Sequence, residues 1–260
     1  MAYTDIVVKK NGAVAWITFN KPHVKNAMGP QTLKDLLAAL DDIGKEPAIA
    51  VVVIKGAGGT FCSGMDLREI SGPTGPGAEE FTQLADKVFV GIETFKKVTI
   101  AMVNGYCMAG GFEIAMGCDF IIADENCRIG DGHIKLPGFV PNGGSSIRLP
   151  RLIGAQKAKE LLFTGDLISG KEAERIGIAN YAVPSDKLEQ KVDELVAKLV
   201  DKSPLGLQYM KMLVNSSPEC SLETGISMEH TAVKYLGKTE DALEAMAAMK
   251  EKRKPQFKGK

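Results

Sequence analysis

The order of segments is what most restricts the fold. "AIAVVVIKG" (48–56) is a continuous apolar run rich in β-branched residues, "AEEFTQLADKVFVGIETF" (78–95) has helical spacing, and "VTIAMVNG" (98–105) is a second buried-strand run. Two strands of this kind with a helix between them predict a parallel pair joined by a right-handed crossover. Ahead of them, "DIVVKKNGAVAWITFN" (5–20) reads as two strands about the hairpin dipeptide Asn11-Gly12, and "GPQTLKDLLAALDDIG" (29–44) reads as a helix. The chain is therefore expected to be α/β. From about residue 186 only amphipathic helices follow, in "DKLEQKVDELVAKLVDK", "PLGLQYMKMLVNS" and "DALEAMAAMKEKRK". Their Met-rich faces suit a core or a subunit interface. The one linker-like stretch, "SGPTGPGAEE" (71–80), reads as a mobile surface loop.

Lys+Arg and Asp+Glu both number 32, so no global basic field exists to bind nucleic acid by phosphate neutralisation. The five cysteines are scattered, without a C-x-x-C, as expected of free thiols in a reducing compartment. No signal-peptide pattern opens the chain and no apolar run has the length of a membrane span. The expectation is a cytoplasmic protein with neither a nucleic-acid nor a membrane partner. His23, His133 and His230 lack ligand spacing with acids or cysteines, so no metal site is expected.

Two glycine turns carry the chemistry. After the strand ending near Val103, Gly110-Gly111 leads into "FEIAMGCDF", which reads as a helix N-terminus with backbone N–H groups pointing outward. The stretch "GTFCSGMDLREI" (59–70) likewise leaves a buried strand and reads as entering a helix. One N–H from each turn could converge on a carbonyl oxygen and stabilise its developing charge. The same glycines would also serve close strand–helix packing. Glu113, two residues beyond the glycine pair in a small apolar run, is the candidate proton carrier: burial raises a carboxyl pKa, and an unpaired buried charge is costly to keep for stability alone.

Taken together, "NKPHVKNAM" (20–28), "GTFCSGMDL" (59–67), "NGYCMAGGFEIAMGCD" (104–119) and "IKLPGFVPNGGSSIRLPRLIG" (134–154) closely resemble the crotonase, or enoyl-CoA hydratase/isomerase, superfamily over essentially the whole chain. The resemblance implies a crotonase-like spiral of ββα units, divided here as residues 1–195, with a helical C-terminal trimerisation region, 196–260, in a homotrimer or homohexamer. It implies that the N–H groups of Met65 and Gly110 form an oxyanion hole for an acyl-CoA thioester. Lys25, Asn26, Ala27, Ser63 and Asp66 would border the coenzyme A moiety, with Phe257 and Lys258 over its adenine end. The loop at 71–80 would line the acyl pocket. Coenzyme A enters as part of the substrate, and no other cofactor is implied.

Glu113 falls where these hydratases carry the first of two catalytic glutamates. The second is missing: "DGHIKLPG" places His133 at that position, with Asp131 two residues earlier. An imidazole can exchange protons at neutral pH and hold a water. In the "V-P-x-G-G" loop, where aspartate-dependent members carry Asp, stands Asn142, expected to meet a polar substituent or to cap the helix starting at Gly143. The leading reading is a hydratase of α,β-unsaturated acyl-CoA, with Glu113 as acid/base and His133 positioning or activating water. The alternatives are a Glu113-dependent Δ3–Δ2 isomerase or ring β-ketothioester hydrolase, and a non-catalytic CoA- or RNA-binding relative.

Overall fold

In the computed structural model, which describes residues 3–69, 77–136 and 139–260, β1 (Ile6–Asn11) and β2 (Val14–Phe19) form an antiparallel hairpin. Asn11 pairs with Val14, so the loop is Gly12-Ala13 rather than Asn11-Gly12, and Gly12 supplies the left-handed conformation at φ 55°. The chain continues through α1 (Pro30–Gly44), β3 (Val51–Gly56), α2 (Ala78–Glu93), β4 (Val98–Val103), β5 (Tyr106–Met108), α3 (Gly110–Gly117), β6 (Phe120–Asp124) and β7 (Arg128–Gly130). Then come α4 (Ser145–Ile153), α5 (Ala155–Thr164), α6 (Gly170–Arg175), β8 (Tyr181–Val183), α7 (Leu188–Leu199), α8 (Pro204–Ser216), α9 (Leu222–Leu236) and α10 (Glu240–Glu251).

The large sheet runs β1-β2-β3-β4-β6-β8, parallel from β2 onward. A second, shorter layer follows the same sequence: Cys62 bridges Cys107 in β5, β5 pairs with β7, and Ile129 in β7 bridges Ile168. Each turn of the chain thus lays a strand in the large sheet and then a short extended segment in the second layer, the expected spiral of ββα units. Sequence pattern did not reveal β5 and β7, because three-residue strands are too short to show a period.

Period-two alternation divides the sheet faces. Val52, Ile54, Ala101 and Val103 join α1, α2 and α3 in the main core, while Val51, Val53, Val98, Ile100 and Met102 meet Leu188, Val192 and Val196 of α7. Because α7 seals the outer face, the boundary expected at 195/196 falls inside a helix packed on the sheet. Among the described residues no helix is long and apolar enough to cross a membrane, and no three metal-ligating side chains cluster. All five cysteines are free thiols, and burial pushes the Cys62 thiol up to about 12, which makes it a poor nucleophile.

Candidate active site

The site forms where the chain leaves the C-terminal ends of β3 and β4, the edge at which open parallel sheets place ligands. Met28 N–H donates to Gly64 O (2.8 Å) and Met28 O accepts from Asp66 N–H (2.8 Å), so Met65, between them, turns its own N–H away from Met28. Gly110 opens α3, ahead of the first helical bond at Glu113, and its N–H lies outside the ladder. Neither N–H has an acceptor among the described residues. The two turns abut at Gly64 (φ 104°), where an added Cβ would sit 2.9 Å from Ala109 Cβ and 3.5 Å from Gly110 N. Ala109 adopts φ 49°, ψ −125°, a conformation that costs about 1–3 kcal/mol without glycine. Its N–H is anchored on Asp131 O (2.8 Å), which binds the Asp131 segment directly to this turn. The stretch expected to enter a helix is described only as far as residue 69: there residues 67–69 form a turn, closed by Asp66 Oδ1 accepting from Arg68 N–H at 3.1 Å, and the continuation expected from Ile70 lies outside the described residues.

Glu113 lies one turn into α3 and is 1% exposed. Its Oε1 accepts from Gly143 N–H (2.6 Å) and Ser145 N–H (3.3 Å), at the entry to α4. Oε2 accepts no hydrogen bond among the described residues. Burial raises its pKa, against the charge of His133 and the two backbone donors, which lower it. Gly143 must be glycine here, since an added Cβ would lie 2.5 Å from Glu113 Oε2.

His133 begins a short 3-10 turn and is tied to Asp131: Nδ1 lies 2.9 Å from Asp131 Oδ1, which also accepts the His133 backbone N–H at 3.1 Å. Nε2 is thereby the nitrogen left for exchange with a ligand. Burial depresses the imidazole pKa, but the Asp131 hydrogen bond and the charges of Asp131 and Glu113 outweigh it and raise the pKa overall. The mutual effect places Glu113 and His133 in one electrostatic cluster. Asp131 itself is 2% exposed and held low: burial opposes ionisation, and His133 and the nearby Ser145 hydroxyl overcome it. Asp131 Oδ2 and Ser145 Oγ, both buried, nonetheless stop short of hydrogen-bond geometry.

The remaining expected residues divide. Lys25 is exposed at the rim, its Nζ 4.7 Å above the Tyr106 ring, and Ser63 N–H donates to Lys25 O at 3.1 Å. Ala27 is 8% exposed beside them. Asn26 is spent on scaffolding: Oδ1 accepts from Lys21 N–H, while Nδ2 donates to Ala57 O and Thr60 O. Both Asp66 oxygens are held by Arg68, bringing that carboxyl to about 2. Asn142 is exposed and does not cap α4, whose N-cap is Gly144 with no side-chain bond. Phe257 and Lys258 are not brought to the site. Their tail is pinned by Asp241, which accepts from Lys258 N–H and Gly259 N–H, and Gly259 sits against Pro47 and Pro204. Pro47 precedes β3, so the tail lies at the N-terminal edge of the sheet, a strand length of about 17 Å from the edge that bears Met65 and Gly110. The loop assigned to the acyl pocket falls largely at 71–76, outside the described residues.

The groups available for chemistry are thus two amides without an acceptor among the described residues, on turns that abut, together with a buried carboxyl and an imidazole–carboxylate pair. The donors of Gly143 and Ser145 cannot be read from "PNGGSSIR", because backbone donors carry no side-chain signature. Residues 9–260 match the family model described as enoyl-CoA hydratase/isomerase. The chain is 35% identical over 258 residues to the crotonyl-CoA hydratase of Syntrophomonas wolfei, covering 99% of each protein. It is 35% identical over 255 residues to the short-chain-enoyl-CoA hydratase of Clostridium acetobutylicum, covering 98% of this chain and 97% of that one. The crystal structure of an enoyl-CoA hydratase from Bacillus anthracis superposes with a TM-score of 0.93 at 33% identity, covering 99% of this chain and all of that one.

Proposed function

The chain belongs to the enoyl-CoA hydratase/isomerase family of enzymes, and from that premise we propose that it adds water reversibly to an α,β-unsaturated acyl-CoA, using a histidine in place of the second glutamate. The thioester oxygen accepts from the N–H groups of Met65 and Gly110. The reaction requires Glu113 as carboxylate and His133 as imidazolium, and the charge of each favours the charged form of the other. His133 serves here as the acid rather than as the water-positioning or water-activating group expected from the sequence: the Glu113 carboxylate takes a proton from water as its oxygen bonds to C3, His133 Nε2 delivers a proton to C2 of the enolate, and proton exchange with solvent restores both groups. Asp131 holds the ring and stabilises its charged form. Coenzyme A is the handle of the substrate and no further cofactor takes part. The site acts within a homotrimer or homohexamer in the cytoplasm, without a nucleic-acid or membrane partner.

The carrying observation is that the N–H groups of Met65 and Gly110, on abutting turns, have no acceptor among the described residues, and that Gly110 opens the helix whose first turn carries the 1% exposed Glu113. The test is loss of the conjugated-enoyl absorbance of crotonyl-CoA. Parent protein should consume it, while Glu113→Gln should lose roughly 100- to 10,000-fold in kcat and still bind CoA. Full activity in that variant, or no turnover by the parent of any unsaturated CoA ester across a short-chain, aromatic and alicyclic set, would overturn the reading.

A further inference from the structure

Glu113 Oε1 depends on a backbone donor in a run of two glycines, Gly143-Gly144, which has little stiffness of its own. Something else must fix that peptide. Arg148, on the first turn of α4, donates from Nη1 to Gly143 O at 2.5 Å. The same guanidinium grips Glu93 Oε2 at the end of α2, through Nη2 at 2.6 Å and Nε at 3.1 Å. Its side chain is only 15% exposed, and an added Cβ on Gly144 would lie 2.3 Å from Nη1, so the arginine occupies the space against the loop. The α2 helix contributes a second wall: the Phe89 ring would meet an added Cβ on Gly143 at 2.6 Å.

We infer that Glu93 and Arg148 are positioning residues for the reaction: the guanidinium, seated on the α2 carboxylate, holds the Gly143 carbonyl and so keeps the Gly143 N–H aimed at Glu113 Oε1. A planar fork is suited to this, because it satisfies carboxylate and carbonyl from one rigid group. Lysine, a single point of charge, cannot hold both in the same geometry. The Gly143 N–H belongs to the preceding Asn142-Gly143 peptide, so the clamp acts through Gly143 itself: loss of either partner frees the Gly143-Gly144 peptide, and with it the φ and ψ of Gly143 that aim its N–H at the Glu113 carboxylate. The other groups acting on that carboxyl are His133 and Asp131 from the segment between β7 and α4, and the Ser145 N–H. His133 and Asp131 are bonded to neither Arg148 nor Glu93, and the Gly144-Ser145 peptide that carries the Ser145 N–H is held by the Arg148 backbone N–H on Gly144 O at 2.8 Å, which the side-chain substitutions leave intact.

The inference rests on the proposed role of Glu113. The experiment compares Glu93→Gln, Arg148→Lys and Arg148→Met with the parent, by pH dependence of kcat for crotonyl-CoA, by CoA affinity and by thermal melt. A merely structural residue would lower the melting temperature and the amount of active enzyme without moving a limb of the pH profile. The expected result is a loss of about tenfold in kcat at neutral pH with the acid limb displaced upward by about one pH unit, and with CoA affinity kept within about twofold. Glu93→Gln keeps volume and an acceptor, and supplies the reading if an arginine variant does not fold. An acid limb at the parent position in folded Glu93→Gln would overturn the inference. A second readout stands apart from turnover: the carboxylic-acid infrared band of Glu113, identified by its absence in Glu113→Gln, should persist to higher pH in Glu93→Gln. If hydration fails in the parent but this band shifts, the clamp stands and the proposed reaction does not.

Discussion

Glu113 and His133 titrate in opposite catalytic senses, and their environments fix the sign of the pH response. Glu113 must be ionised to accept a proton, and burial raises its pKa, so activity falls as pH drops through that raised value. His133 must be protonated to donate; burial opposes this, yet Asp131 and Glu113 raise its pKa overall, so activity falls only as pH climbs through a value above the usual 6.5. A bell-shaped kcat profile is the expected outcome. Asp131→Asn keeps a neutral acceptor for Nδ1–H but removes the charge that stabilises the imidazolium, and leaves the burial that opposes it. The alkaline limb should therefore move down, by on the order of one unit, while CoA affinity is kept. An unmoved limb, measured by stopped-flow across pH, would strip Asp131 of its role. Glu113 was legible in the sequence because a lone acid in "GGFEIAMG" is costly unless used. The direction of Asn26 was not: its side chain turns inward because both Lys25 and Asn26 sit at left-handed φ, 54° and 56°, which nothing in "VKNAM" announces.

Among the elements, the parallel strands were readable because burial on both faces turns alternation into continuous apolar runs, as in "AIAVVVIKG". The attachment of the C-terminal helices was not, since it includes polar contacts of α8, from Lys211 and from Asn215 to Glu93 O at 3.0 Å, that no periodicity announces. Lys211 of α8, 8% exposed at its side chain, donates to Asp119 Oδ2 (2.8 Å), Lys97 O (3.3 Å) and Ile92 O (3.4 Å). Asp119 in turn accepts from Thr99 N–H (2.7 Å) and lies within 3.0 Å of the Thr99 hydroxyl. The ammonium therefore joins α8 to the ends of α2 and α3 and to the start of β4. Removing one partner of a buried pair costs about 3–5 kcal/mol, and here Asp119 retains the Thr99 donors, so Lys211→Met should destabilise by about 2–3 kcal/mol. Urea unfolding is the measurement, with the slope unchanged. A shift under about 0.5 kcal/mol would mean that the Lys211 ammonium adds nothing to the hold on α8.

At the scale of the whole molecule, two facts about the C-terminal helices point to the same assembly. They leave large apolar side chains exposed on one protomer, including Leu222 (82%), Met249 (73%), Val233 (68%) and Leu243 (67%), more than a monomer ordinarily presents to water. They also carry Phe257 and Lys258 to the sheet edge opposite this protomer's own Glu113, although the family resemblance sets those residues over the adenine of bound CoA. An oligomer in which the tail of one subunit reaches the site of another would meet both conditions, and the prediction is that catalysis and assembly are coupled. The double substitution Phe257→Ala, Lys258→Ala leaves the backbone bonds to Asp241 intact and should raise KM for crotonyl-CoA about tenfold, roughly 1.4 kcal/mol. Glu113→Gln alone should be inactive with its tail whole. Coexpressed in one oligomer, the two chains complement: an intact Glu113 receives an intact tail from its neighbour, and a fraction of sites should recover the parent KM. Sedimentation velocity on the same sample should give a trimer or hexamer. A mixed oligomer whose every active site keeps the raised KM would place the tail's action within its own subunit or nowhere near CoA, and a monomer would remove the shared site altogether.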